Sequence, residues 1–292
     1  MEESISLYQE LLEFSEPKLT EFFKNRKLQG RQFIFDEISR KCYENIYYNN
    51  NQVIKRQEFF KTIPSLKKVC SGCYKYYMKP RNKSIKKLDI ILGRQFEYLL
   101  IDFFKNKQGI NSEKADESYK NYPDNLIRDN DENIICYYEV KFLTAPFLLT
   151  YKVRPGRECY EGSTTLDIAK KIQAQRDIIE KLDKCTYYVY WLDYPCIKGV
   201  FYWEAEDVFN YLDKVVVEWD RKEREGDFKD NKKIAITKKI YLPLLRMHPF
   251  SALYYIFKND KTKANEKIEV RKTNLVRKKS KKQSQKSINN FF

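Results

Sequence analysis

The sequence predicts an α/β protein, a small mixed central β-sheet flanked by helices and preceded by a helical N-terminal region. Three observations lead there. Apolar residues recur at three- and four-residue spacing through much of the first 80 positions and again from Ser84 to Lys105, as expected of helices with one buried side. Two short runs, Asn125 to Arg128 and Ile134 to Leu143, flank an acidic turn from Asp129 to Asn133, which is the pattern of paired strands. Helical and strand-like segments then alternate, an order that packs helices onto the faces of one sheet.

Taken in order, Ser4 to Phe14, Pro17 to Phe23 and Gln32 to Tyr48 are expected helices, the last ended by Asn49-Asn50-Asn51. The basic, aromatic stretch Lys55 to Lys83 receives no predicted fold. The helix over Ser84 to Lys105 offers Ile91, Phe96, Leu99, Leu100, Phe103 and Phe104 to the core, with Gly109 beyond its end. After the strand at Ile134 to Leu143, a helix is expected from Thr165 to about Lys181. Strands follow over Thr186 to Leu192 and Gly199 to Trp203, then a helix over Glu206 to Glu218 and a strand over Lys233 to Leu242. Beyond Asp260 apolar residues thin out, and Lys278 to Ser287 reads as a solvated linker. The chain thus divides into a helical region (1–80), a core (81–257), a basic tail (258–284) and a terminal peptide (285–292).

The composition narrows the partners. The 292 residues, 42% hydrophobic, suffice for a substantial core. Lys and Arg number 56 against 41 acidic residues, and the last 35 positions carry +9 of the net +15. Such a balance suits a polyanion, since displaced counterions drive binding to phosphate backbones. An anionic membrane ranks well below, because no lipidation signal and no amphipathic basic helix is present. No apolar run approaches a membrane span, and the acidic start Met1-Glu2-Glu3 is not followed by a signal-peptide core. A soluble, cytoplasmic protein is expected. Seven cysteines, an odd number in a long chain, favour reduced thiols over a disulfide framework. Cys70-Ser71-Gly72-Cys73 has the spacing of half a zinc site. Without a second such pair, and with His248 the only histidine, zinc would need scattered cysteines such as Cys42, so a structural reading is preferred.

Chemistry gathers in Pro123-Asp124 and Glu139-Val140-Lys141. Glu139 and Lys141 stand two apart on an expected strand, so their side chains share a face. Charges among Ile135, Tyr137, Val140 and Phe142 need a reason, because burying an unpaired charge is costly. A salt bridge on a solvated edge is the plain explanation. The alternative is a metal site: a hairpin that brings Asp124 beside Glu139 gives the hard oxygen donors that suit Mg²⁺.

These residues, Pro123-Asp124-(14 residues)-Glu139-Val140-Lys141, resemble the PD-(D/E)XK nuclease superfamily. The resemblance implies a restriction-endonuclease-like core over about residues 86–205 and catalytic roles for Asp124, Glu139 and Lys141. The two acids would bind Mg²⁺, and Glu97, on the preceding helix, would support the site. Within that superfamily the chain looks like a type II restriction enzyme, a sequence-specific endonuclease of double-stranded DNA that would work as a homodimer, since it has one catalytic core and no ATP-binding loop. Lys152, Arg154 and Arg157, around Pro155-Gly156, form a candidate groove-entering loop, and Gln173, Gln175 and Arg176 lie on a candidate polar helix beside the site.

The terminal peptide carries a second resemblance. Gln285, Ile288, Phe291 and Phe292 match the Q-x-x-(I/L/M)-x-x-(F/Y)-(F/Y) pattern and resemble the PIP box, which docks on PCNA-type sliding clamps. One helical turn would set Ile288, Phe291 and Phe292 on a common apolar side. That trait of replication and repair proteins keeps a structure-specific repair or recombination nuclease as an alternative. A non-enzymatic clamp- and DNA-binding accessory protein is the reading from another class.

Overall fold

The first helix, α1 (Glu2–Asn25), runs unbroken through Pro17, where two helices were expected. Proline removes the hydrogen bond to residue 13, but Glu13 is exposed, while Leu7, Tyr8, Leu11 and Leu12 before the proline and Leu19 and Phe23 after it are buried. One packed face thus carries the helix across the lost bond. The segment expected to be helical from Gln32 begins only at α2 (Glu37–Cys42), where the Asp36 carboxylate accepts from Ser39 N at 2.8 Å as an N-cap. It continues as a π-helical turn, Tyr43–Tyr48. Two further helices, α3 (Arg56–Thr62) and α4 (Leu66–Met78), occupy the stretch with no predicted fold.

The computed structural model describes residues 1–28, 32–78, 86–116, 123–153, 155–161, 164–167, 172–214, 218–222 and 236–272. Arg154 and the clamp-type peptide with Gln285, Ile288, Phe291 and Phe292 lie outside them. The core begins with α5 (Lys86–Asp102), which passes into a π-helical turn, Phe103–Lys107. Then come β1 (Asn111–Lys114), β2 (Asn125–Arg128) and β3 (Ile134–Leu143), the last two bounded as the sequence predicts. A short α6 (Thr150–Val153) follows. The segment expected as one helix from Thr165 divides into β4 (Thr164–Asp167) and α7 (Gln173–Ile179). The strand at its start is consistent with the β-branched pair Thr164-Thr165. After β5 (Thr186–Asp193) and β6 (Lys198–Glu204) come α8 (Ala205–Lys214) and β7 (Glu218–Lys222), whose first residue, Glu218, was expected to end the helix. β8 (Ile236–Leu242) and β9 (His248–Pro249) lead to α9 (Phe250–Phe257).

Six strands form one mixed sheet in the order β1-β2-β3-β5-β6-β9, and only β3 and β5 run parallel. β4, β8 and β7 form a separate antiparallel sheet. Helices cover both faces of the larger one, so the architecture is α/β as expected. One face buries Ile127, Tyr138, Val189, Trp191 and Tyr202 against Leu11 of α1, Phe96 and Leu100 of α5 and Leu253 of α9. The other buries Tyr188, Tyr190, Leu192 and Phe201 against Cys42, Phe59, Val208 and Leu242. The N-terminal helices therefore share the interior of the core. Ser4 of α1 binds Ser251 of α9, with the two hydroxyls 2.7 Å apart and Ser251 N donating to Ser4 Oγ at 3.1 Å.

Of the basic tail expected from Lys258 to 284, residues 261–272 form a further helix, α10. Its Arg271 is buried and donates to the carbonyls of Leu245 (2.8 Å), Met247 (3.1 Å) and Tyr47 (3.2 Å), with the guanidinium 4.1 Å from the Tyr47 ring centre. Three backbone acceptors and a ring face offset much of the cost of taking this cation out of water, while its buried Nε has no hydrogen-bond partner. His248 lies close by, and burial, then the charges of Arg271 and Lys272, hold its imidazole down to about 4. Above pH 6.5 neither folded nor unfolded His248 binds a proton, so the group has no effect. Between 6.5 and 4 the unfolded state takes the proton first, so stability falls as pH falls, by on the order of 3 kcal/mol. Urea unfolding across that range is expected to show His248→Gln losing about that much less stability than the wild type.

Candidate active site

The β2–β3 hairpin sets the geometry. Asp129 Oδ1 accepts from the backbone N–H groups of Asp131 (2.9 Å) and Asn133 (2.8 Å), closing the turn in which Glu132 takes a positive φ. The antiparallel register pairs Leu126 with Tyr137 and Asn125 with Tyr138. Asp124, one residue outside β2, is thereby level with Glu139. Because directly opposed residues share a face and faces alternate, Asp124, Glu139 and Lys141 belong to one side of the sheet. Pro123 is buried before Asp124, and the Asp124 carbonyl accepts from Ala115 N at 3.1 Å.

β3 is an interior strand, flanked by β2 and β5, so the solvated edge considered for Glu139 and Lys141 does not describe it. Glu139 is 1% exposed. Lys141 Nζ binds its Oε1, and the Gln175 amide donates to its Oε2. The Gln175 carbonyl oxygen in turn accepts from Tyr188 O–H at 3.1 Å. Tyr188 and Tyr190 stand opposite Glu139 and Lys141 on β5. Burial first, and for both the nearby Glu139 charge, push their phenols well above the ordinary tyrosine value. Lys141 keeps 28% of its side chain exposed, so the buried carboxylate meets solvent through the lysine.

Glu97 has a different setting. Its carboxylate accepts from Asn125 Nδ2 at 2.9 Å and pairs with Lys114 at 2.7 Å. Asn125 and Lys114 are register partners on the sheet face opposite Glu139. Glu97 therefore anchors the residue next to Asp124 and does not line the Glu139 side. Among the described residues no three carboxylate, imidazole or thiol groups converge as a ready-made metal site. The pair Asp124 and Glu139 nonetheless supplies oxygen donors only, which suits a hard cation.

The expected DNA contacts divide. Lys152 on α6 is exposed. Arg157 is committed within the chain, donating to Tyr211 Oη (2.6 Å) and the Tyr241 carbonyl (3.3 Å) and pairing with Glu161 at 3.5 Å. Arg176 forms two bonds to Asp213 (2.8 and 3.0 Å) and one to Glu180 (2.9 Å). Gln173 is exposed, its amide 3.4 Å from Asp177. Gln175, one of the polar residues expected on the helix beside the site, is the α7 residue that reaches Glu139. A basic surface also emerges from the stretch left without a predicted fold. Lys67, Lys68 and Lys75 border a concavity on the outer side of α4 together with Pro64, Ser71 and Gly72. Tyr77 of the same helix donates to the Thr144 carbonyl, just past β3, at 2.8 Å. No protein-family model matches the chain, and no match was found among curated proteins or solved structures.

Removing one partner of a buried pair strands the other charge. Lys141→Met is expected to lower stability by about 3 kcal/mol at neutral pH, and adding Glu139→Gln should restore most of it. Chemical denaturation of both single variants and the double variant measures this coupling.

Proposed function

We propose that the chain is a Mg²⁺-dependent endonuclease of double-stranded DNA with a PD-(D/E)XK-type site, sequence-specific in the manner of a type II restriction enzyme and working as a homodimer. The observation that carries this reading is a buried Glu139 on an interior strand, with Asp124 brought level with it by the hairpin register and Lys141 on the same face. Asp124 and Glu139 would hold the ion. Bound there, Mg²⁺ would polarise the scissile phosphodiester and lower the pKa of an attacking water.

The chain's own groups have separable tasks. Gln175 fixes the second oxygen of Glu139, and Tyr188 fixes the amide orientation of Gln175. Lys141 Nζ, on the solvent side of Glu139, is placed to donate to the attacking water or to a phosphoryl oxygen as negative charge develops. Glu97 acts at one remove, through Asn125, to set the start of β2. Lys152 and the lysines of α4 supply cations for backbone phosphates. The clamp-type peptide would raise the local concentration of the enzyme on clamp-loaded DNA. The same peptide favours one second reading, a structure-specific nuclease of repair or recombination.

Digestion of plasmid and phage DNA by the purified protein decides between these. Discrete fragments that vanish with EDTA are expected, and Asp124→Asn or Lys141→Ala should lower the rate at least ~100-fold while the fold persists. Cleavage confined to flaps or junctions would shift the assignment to the repair reading. Metal-independent DNA binding without hydrolysis would leave Glu139 and Lys141 a salt bridge in a non-enzymatic accessory protein. For the tether, Phe291→Ala/Phe292→Ala is expected to weaken capture by an immobilised PCNA-type clamp at least ~10-fold and to leave cleavage of a short free duplex unchanged.

A further inference from the structure

The outer side of α4 carries cations that the rest of the chain leaves unanswered. The helix turns Leu66, Val69, Cys70, Cys73 and Tyr77 inward, and Lys67, Lys68, Ser71, Gly72 and Lys75 outward. Lys41, Arg128 and Arg176 have carboxylate partners in Glu37, Glu113 and Asp213. Lys67, Lys68 and Lys75 form no ion pair among the described residues, and α4 contains no acidic residue. Lys67 and Lys68 also lie in the first helical turn, where the positive end of the helix dipole opposes them. Local electrostatics thus works against this arrangement, and an external anion relieves it.

These lysines border one concavity, in which Gly72 stands four residues after Lys68 and three before Lys75, a neighbour of both on the helix surface. Glycine inside a helix costs stability relative to alanine. Neither packing nor dihedral requires it here, since its φ is not positive and a β-carbon would meet no atom within 4 Å. What Gly72 provides is bare backbone between two cations, the access a phosphate needs for close approach. Tyr74 and Tyr76, on either side of Lys75, are 49% and 74% exposed. Exposed rings beside unpaired lysines suit a nucleic-acid strand, with its sugars and bases, better than a free phosphate ion. The inner side of α4 fixes where this surface lies. Tyr77 donates to the Thr144 carbonyl at 2.8 Å, one residue beyond β3 and three beyond Lys141. Summed along strand and helix, that path puts Lys68 no further from Lys141 than about one turn of duplex, ~34 Å.

We propose that the outer side of α4 is a seat for the sugar–phosphate backbone of DNA flanking the cleavage position. Lys67, Lys68 and Lys75 bond phosphate oxygens, and Gly72 lets the strand close on the helix. The proposal rests on the nuclease reading for the identity of its polyanion and deepens it. It assigns one defined surface, separate from Asp124, Glu139 and Lys141, to the sequence-independent contacts that set the register of the duplex on the protein. Lys68 and Lys75 stand seven residues apart, roughly 10 Å along the helix axis. That separation matches about three base steps of one strand at ~3.4 Å each. The Tyr77 bond to Thr144 then links a strand held on α4 to the end of β3.

The test separates binding from cleavage. Full-length protein is titrated onto a short fluorescent duplex in EDTA, so that no strand is cut, and anisotropy is followed across a salt series. Lys68→Ala/Lys75→Ala is expected to weaken binding at least ~10-fold and to reduce the slope of log affinity against log salt by about 2. Gly72→Ala, which favours the helix, should keep or raise the melting temperature and still weaken binding at least ~3-fold. Lys24→Ala/Lys105→Ala removes two exposed charges from the opposite side of the sheet and should stay within ~2-fold of wild type. A folded Lys68→Ala/Lys75→Ala protein with wild-type affinity and salt slope overturns the proposal, whatever the cleavage assay gives. Equal losses in both double variants, or a wild type that binds no duplex, overturn it too. Binding that depends on α4 in a protein that never hydrolyses DNA sustains the seat and removes the nuclease reading alone.

Discussion

A carboxylate at the centre of a sheet, with almost no access to water, is the constraint around which this molecule is arranged. Glu139 sits on β3, between an antiparallel and a parallel neighbour. A lone ion there would be expensive, so three groups from three elements answer it: Lys141 from the same strand, Gln175 from α7 and, through that amide, Tyr188 from β5. Each has a backbone position that must be kept. The β2–β3 turn fixes the register that brings Asp124 level, β5 must run parallel to β3 to present Tyr188, and the crossover between them must deliver α7 over that face. The sheet topology and the polar cluster are mutually dependent.

The opposite face is closed by hydrophobic packing, with α1, α5 and α9 stacked on Trp191, Tyr138 and Tyr202. Here the two ends of the described chain matter most. α1 meets α9 through Ser4 and Ser251, and α10 returns Arg271 to the carbonyls beside Tyr47 and Met247. A helical N-terminal region and a basic C-terminal segment that look like appendages in the sequence are thus parts of the same interior.

The strands that build the site were legible because alternation has a period of two and the acidic turn between them is short. Their limits at Asn125–Arg128 and Ile134–Leu143 follow from those two facts. Helix limits were less legible where tertiary packing overrode local signals, as at Pro17. Two of the arginines pair within the chain, since a guanidinium suited to a DNA base is equally suited to a carboxylate of its own chain. Glu161 and Glu180 stand four residues beyond Arg157 and Arg176, a spacing that already signalled internal pairing. That Gln175 rather than Gln173 reaches Glu139 was not legible, because which face of a short helix a residue takes depends on where the helix begins.

The charged pair on β3 also acts before the protein is finished. Its strand otherwise reads Ile134-Ile135-Cys136-Tyr137-Tyr138 and Val140, Phe142, Leu143, a composition prone to pairing with other chains when exposed. During synthesis β3 emerges well before β5, its parallel neighbour, so for that interval one edge is open. Glu139 and Lys141 interrupt the apolar run at that edge, and charges so placed discourage intermolecular β-pairing. The charges that make the strand awkward to bury are the same ones that would oppose β-pairing between nascent chains.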